Sequence, residues 1–369
     1  MKVALVHYWL VGMRGGEKVL EALCELYPEA DIFTHVCDPE SISDTLRRHT
    51  IHSSFIARLP RAKQWYQRYL PFMPMALEQL DLRGYDLVIS SESGPAKGII
   101  PPPEATHICY CHSPMRYVWD MYHDYLEGAG RLTRLLMPPL LHKLRTWDVT
   151  TAPRVDHFVA NSDYVAARIN KYYRRVAKVI HPPVDTDEFG PGGETGDFYL
   201  MMGQLVGYKR ADLAVEAFNR LGLPLVIIGE GEMREALEKK AAANIRFLGW
   251  QPFTEIQSHY ARCKALVFPG AEDFGIVPVE AMAAGRPVIA YRRGGATETV
   301  VDGVTGLFFD EQTAEGLMEA VQRFEAMGPG FAVEPIIEHA RKFDRDVFKR
   351  QMKDFIDAAL AGELPSSSA

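Results

Sequence analysis

The chain has 369 residues, which is enough for about two domains rather than one core. A hydrophobic share of 47% and a charged share of 24% exclude a mostly disordered chain. The 41 Lys+Arg against 48 Asp+Glu, a formal charge of −7, exclude a global polycation gripping nucleic acid.

In chain order, Lys2–His7 reads as a buried strand rather than a signal peptide, because polar residues and Gly interrupt the apolar run. Glu17–Tyr27 follows with Val19, Leu20, Leu23, Cys24 and Tyr27 at helical spacing. Further strands are expected at Asp31–Val36, Asp86–Ser90, Thr106–Tyr110, His157–Ala160 and Lys178–His181. The Pro-, Gly- and Asp-rich stretch 181–193 is a linker. After it come strands at Phe198–Met202, Pro224–Ile228, Ile245–Leu248, Ala265–Pro269, Pro287–Tyr291 and Gly306–Phe309, with helices between. A last helix, Arg345–Leu360, precedes a Pro-Ser-Ser-Ser-Ala tail expected to fray. Short strands alternating with amphipathic helices predict an α/β fold of two doubly wound parallel sheets, with ligands at the carboxyl ends of the strands. No run approaches the about 18 apolar residues of a membrane span. Cysteines 24, 37, 109, 111 and 263 read as reduced cytosolic thiols, with Cys109 and Cys111 on one face of a strand.

The densest motif is 268–290, which reads strand, loop, short helix, Gly stop, strand. Glu272 lies in the loop, and Glu280 lies eight residues on, inside the helix. Phe274, Gly275, Ile276 and Val277 offer backbone N–H groups at the helix start, an anion site. Either glutamate alone reads as a solvated acid on a surface loop and an amphipathic helix. Lys209-Arg210 follows a strand at a helix start, where cations can neutralise a departing diphosphate, though alone the pair reads first as a solvated helix end. Glu230 and Gln251 lie in Gly-containing turns after two further strands. Gly15-Gly16 joins the first strand to the first helix without forming a nicotinamide fingerprint. His112 ends a strand and opens Ser113-Pro114-Met115-Arg116-Tyr117-Val118-Trp119. Asp185-Thr186-Asp187 has the D-x-D form of a metal-binding pair, but its place in the linker predicts a turn cap. Arg58–Phe72 and Arg131–Trp147 (with Arg131, Arg134, Lys143 and Arg145) mix cations with aromatic and Leu residues, suiting either an anionic membrane surface or a packed helix.

The E-x₇-E string, with the motifs around it, resembles the retaining nucleotide-sugar glycosyltransferases of family four. That resemblance implies the GT-B architecture: two Rossmann-like domains facing a central cleft, the last helix crossing back to the first domain. The expected divisions are 1–185 for the acceptor, 186–345 for the nucleotide sugar, and 346–369 for the closing helix and tail. It implies catalytic roles for His112, Lys209 and Glu272, with Glu272 on the donor sugar. It also implies that Glu280 binds the ribose, and that the amides of Phe274 to Val277 with Lys209 and Arg210 hold the diphosphate. Gln204 stands where the family usually carries Arg. Gly15, Gly16, Glu230 and Gln251 are expected near the donor, and Arg116 and Tyr117 near the acceptor. The Ser-Pro-x-Arg-Tyr-x-Trp run is similar to a subset that moves mannose in bacterial surface-polysaccharide assembly. The implied donor is GDP-mannose, with a UDP-sugar as the alternative, and no metal or cofactor is implied. A lipid-linked glycan would be the acceptor, and the protein would sit peripherally on the cytoplasmic face of the cell membrane. A non-catalytic two-domain sugar-nucleotide-binding protein is the reading from another class.

Overall fold

In a computed structural model that describes residues 1–128, 130–328 and 330–364, the chain divides into two compact units. The first is Met1–Pro183 with the chain from Phe348 onward, and the second is Val184–Val347. The first unit carries β1 (Val3–His7), β2 (Asp31–Thr34), β3 (Ile51–Ser53), β4 (Leu87–Glu92), β5 (Thr106–Cys111), β6 (His157–Ala160) and β7 (Ala177–Val179). These pair, all parallel, in the order β3-β2-β1-β4-β5-β6-β7. The second unit carries β8 (Tyr199–Met202), β9 (Leu225–Ile228), β10 (Ile245–Gly249), β11 (Leu266–Phe268), β12 (Val288–Tyr291) and β13 (Gly306–Phe309). Their order is β10-β9-β8-β11-β12-β13, again all parallel.

Parallel sheets covered on both faces need apolar side chains on both, which is why these strands read as continuous runs. In β1, Val3 and Leu5 enter one core while Ala4 and Val6 enter the other. Leu200 of β8 and its neighbours Tyr199 and Met201 divide in the same way. Cys109 and Cys111 share one core and Tyr110 lies in the other, as alternation requires.

The strand β3, which the sequence does not announce, is a three-residue edge whose His52 and Ser53 are exposed, so it lacks an apolar run. The first helix begins at Gly15, two residues before the expected start. Its N-cap is Arg14, whose backbone N–H donates to Glu17 Oε2 at 3.0 Å, so the usual Ser/Thr signal is absent. The closing helix, Arg345–Leu360, buries Phe348, Met352, Ile356 and Ala359 against the core of the first unit. At about 1.5–3 kcal/mol for each large apolar side chain, that stripe is sufficient to dock it. The side chain of Arg131 and the tail 365–369 lie outside the described residues.

Candidate donor and acceptor sites

Each sheet reverses its winding once: between β1 and β4 in the first unit, and between β8 and β11 in the second. Connections leave such a pair in opposite directions, opening a crevice at the carboxyl ends. Gly15 and Gly16 follow β1, and Lys209 and Glu272 follow β8 and β11, at these points; His112 follows β5, Glu230 follows β9 and Gln251 follows β10.

In the second unit, the loop after β8 brings Lys209 to the loop after β11, and Lys209 Nζ lies 2.8 Å from Glu272 Oε1. Both side chains are mostly buried, 13% and 18% exposed. Close backbone approach holds the two loops, since a Cβ on Gly270 would lie 2.9 Å from Lys209 Cα, and the loop after β12 presses on the same segment. Gly295 N–H donates to the Glu272 carbonyl at 2.9 Å, and a Cβ on Gly294 (φ +71°) would lie 2.3 Å from that oxygen. Gly275 (φ +85°) then caps the helix Ile276–Ala283, placing the amides of that turn beside the ion pair in sequence. The ring of Phe274 is core, 5.6 Å from that of Phe343, so only its backbone is available to a ligand. Glu280 accepts a 2.7 Å hydrogen bond from the hydroxyl of wholly buried Tyr260, a partner that sequence reasoning missed.

Arg210 is placed differently from the expectation that it joins the phosphate clamp. Its backbone is left-handed (φ 55°) and its guanidinium donates to both oxygens of Asp212, at 3.1 to 3.3 Å, stabilising the start of the next helix. Gln204 is exposed. Glu230 pairs with Arg234 and accepts the Trp250 N–H at 3.3 Å, tying the turns after β9 and β10 together, while Gln251 donates to the Leu248 carbonyl at 2.7 Å. Asp185 of the D-x-D sequence stands at the N-cap of the turn Thr186–Glu188, as expected, its carbonyl accepting the Glu188 N–H at 3.1 Å, and its carboxylate is ion-paired with Arg345 at 2.6 Å.

In the first unit, His112 follows β5 and is held on three sides. Its N–H donates to the Glu92 carbonyl at 2.7 Å, its carbonyl accepts from Asn161 Nδ2 at 2.9 Å, and Nε2 lies 2.8 Å from Ser91 Oγ. Gly16 sits in the first turn of the Gly15–Leu26 helix, where a Cβ would come within 2.4 Å of the Tyr8 hydroxyl, so packing alone demands glycine there. Arg116 and Tyr117 are partly buried, with their polar atoms near the sulfurs of Met121 and Met115.

Trp119 has a structural task, since its indole N–H donates to Asp148 at 2.7 Å. Asp148, Glu92 and Lys97 form a wholly buried charge cluster, with Lys97 Nζ ion-paired to Asp148 and 3.7 Å from Glu92, and with the Tyr173 hydroxyl on Asp148 at 3.0 Å. Burial, only partly opposed by Lys97, pushes the Glu92 carboxyl up to about 8. Nothing in the spacing of 92, 97 and 148 signals this cluster, because the fold assembles it. Ser91 and Asn161 also went unnoticed as partners of His112 in the sequence; for Ser91 the signal was its place at the end of β4.

Residues 13–188 match the Glycosyltransferase Family 4 domain and residues 186–343 the Glycosyl transferases group 1 domain, so the two together run from 13 to 343. The chain belongs to this glycosyltransferase family. It is 32% identical over 192 residues to a GDP-mannose-dependent alpha-(1-6)-phosphatidylinositol monomannoside mannosyltransferase of Mycolicibacterium smegmatis, covering 43% of this chain and 50% of that protein. An uncharacterized glycosyltransferase of Methanocaldococcus jannaschii is 31% identical over 171 residues, 45% of this chain and 48% of that one. The chain thus spans about half the length of the curated relatives it matches. A HepE protein of Anabaena, solved in complex with UDP, superposes with a TM-score of 0.70 at 16% identity, covering 97% of this chain and 100% of that one. At that identity the likeness shows the fold: both are GT-B proteins. Among the described residues no helix is long and apolar enough to cross a membrane.

Proposed function

We propose that the protein is a retaining hexosyltransferase that moves mannose from GDP-mannose to a hydroxyl of a lipid-linked glycan in bacterial polysaccharide assembly. The observation that carries this reading is the 2.8 Å Lys209–Glu272 pair at the switch point of the second sheet, next in sequence to the Gly275 helix start. A donor diphosphate would draw the Lys209 ammonium and the amides of the Gly275 helix start, leaving Glu272 to the hydroxyls of the transferred sugar. Glu280, held by Tyr260, suits the ribose. The donor phosphate oxygen would take the proton of the incoming hydroxyl on the same face as the departing group. No divalent ion is invoked, and Asp185 is already neutralised by Arg345. GDP-mannose should be turned over at an unchanged rate in EDTA. Turnover of a UDP-sugar instead would shift the donor, and loss of rate in EDTA restored by Mg²⁺ would defeat the metal-free mechanism.

The membrane reading belongs to the same proposal. Arg61 and Arg68 each lie 4.9 Å from the Trp65 ring, Phe72 and Met75 are about half exposed, and Leu135 and Leu136 on the Arg131–Thr151 helix are 72% and 58% exposed. Leu70 packs into the same cluster as Met137 and Leu140, so the two basic segments adjoin. Lys63 is paired with Asp38 at 2.7 Å and is a weaker candidate for lipid. The protein should cosediment with acidic phospholipid vesicles and not neutral ones, and Arg61→Glu with Arg68→Glu should abolish this, at on the order of 1 kcal/mol per cation. Absence of wild-type binding at low salt would end the membrane reading.

A further inference from the structure

A line of polar groups runs inward from His112. Strands β1 and β4 are neighbours in register, with His7 opposite Ser91 at their carboxyl ends. Ser91 Oγ lies 2.8 Å from His112 Nε2 and 3.0 Å from His7 Nδ1. The other ring nitrogen of His7, Nε2, lies 3.6 Å from Glu17 Oε1. Glu17, His7 and Ser91 are each 2% exposed or less. The helix start that carries Glu17 is pressed onto β1, since a Cβ on Gly16 would lie 3.4 Å from His7 Cε1.

The charge at the inner end selects the direction of the hydrogen bonds. Burial raises the Glu17 carboxyl, but His7 and the helix-start N–H groups outweigh it and hold the group below its ordinary range, so it is ionised. With a single ring proton, His7 has one N–H and one lone pair; carrying two, it would donate to Ser91 as well and reverse the line, and the spectra below separate these cases. A lone pair on Nε2 would face a carboxylate, so the proton belongs on Nε2 and the lone pair on Nδ1. Ser91 must then donate its single hydrogen to His7 Nδ1, leaving its oxygen to accept from His112. The opposite direction would place two acceptors against each other inside a dry site.

We propose that Glu17, His7 and Ser91 are positioning residues that lock His112 in its Nε2–H tautomer with the ring fixed, leaving Nδ1 as the acceptor nitrogen. This rests on the reading that His112 lies at the reacting centre. The arrangement parallels in logic any base whose far nitrogen is oriented by a second group. No atom is transferred along the line; its effect is orientation and the sign of the field at His112.

The test is nitrogen-15 NMR of the whole protein labelled at histidine, with the His112 signals assigned by their loss in His112→Asn. The expected result is a neutral His112 protonated on Nε2 and a neutral His7 also protonated on Nε2. In Ser91→Ala, His112 should become a mixture of tautomers, and kcat should fall at least about tenfold with little change in KM. Glu17→Gln keeps an acceptor for the Arg14 N–H but removes the charge, and should likewise release the His112 tautomer. If Ser91→Ala does not fold, the wild-type spectrum and Glu17→Gln decide the matter. An Nδ1–H His112, a doubly protonated His7, or a His112 tautomer unchanged in the variants would overturn the proposal. These spectra read the ring directly, so they stand whether or not GDP-mannose proves to be the donor.

Discussion

Lys209→Met is expected to lower kcat with GDP-mannose by about 10²–10³-fold, the loss typical of removing one preorganised group that stabilises developing negative charge. In the proposed reaction the departing diphosphate would gain charge as the glycosidic bond breaks, and Lys209 lies in the loop after β8, where that charge would develop. In the absence of donor its charge is held by Glu272 at 2.8 Å, so the ammonium is already oriented and largely desolvated. Steady-state kinetics on purified protein, with GDP binding measured in parallel, checks this: kcat should fall far more than GDP affinity. Arg210→Ala is the control, because the Arg210 guanidinium is committed to Asp212. It should change kcat by less than about threefold, within the range of a surface substitution. Equal losses in the two variants would mean that Arg210 leaves Asp212 when donor binds, and would restore it to the clamp.

The contrast between these neighbours shows what a sequence can carry. The places of Lys209 and Glu272 were legible, because each sits in a loop after an apolar strand, where open parallel sheets collect ligands. The strand runs themselves were legible because parallel sheets demand apolar residues on both faces. The Arg210–Asp212 pair was not legible, because the left-handed backbone at Arg210 is invisible in composition. Tyr260 and Glu280 are joined across 20 residues by packing, and Ser91 reaches His112 only because β4 and β5 pair. The Arg14 cap went unseen because it uses the backbone N–H of an unusual residue rather than a recognisable side chain. Local pattern announces elements, and partners across the sheet need the register.

The buried cluster behind His112 gives the largest expected effect on stability. Lys97→Met should lower stability by about 3–5 kcal/mol, the cost of leaving buried partners uncompensated, or roughly 6–20 °C in Tm for a unit of this size. Lys97 is wholly buried; burial disfavours its charge, but Asp148 and Glu92 outweigh that and hold the ammonium charged. Removing it leaves Asp148, which Trp119 and Tyr173 orient, with its hydrogen bonds but no cation. Combining Lys97→Met with Asp148→Asn should recover part of the loss, because the lone charge goes with its partner. The pH dependence has a definite sign. With its folded pKa at about 8, Glu92 binds a proton in the folded state that the unfolded chain releases at an ordinary carboxylate pKa, so stability falls as pH rises through that window. Burial pushes His35 and His107 down to about 4, so the unfolded chain binds protons that the folded one refuses below about 6.5, and stability falls as pH drops. Below about 6.5 these histidines, joined by His157 and His339 that burial also lowers, outweigh the one carboxyl; from there to about 8 the carboxyl dominates, and buried cysteines such as Cys24 add to the fall only at higher pH. Thermal unfolding of the wild type should therefore be highest near pH 6.5, and Glu92→Gln should flatten the alkaline limb while leaving the acid limb in place. An alkaline limb unchanged in Glu92→Gln would assign that proton to another group and leave the cluster a plain ion pair.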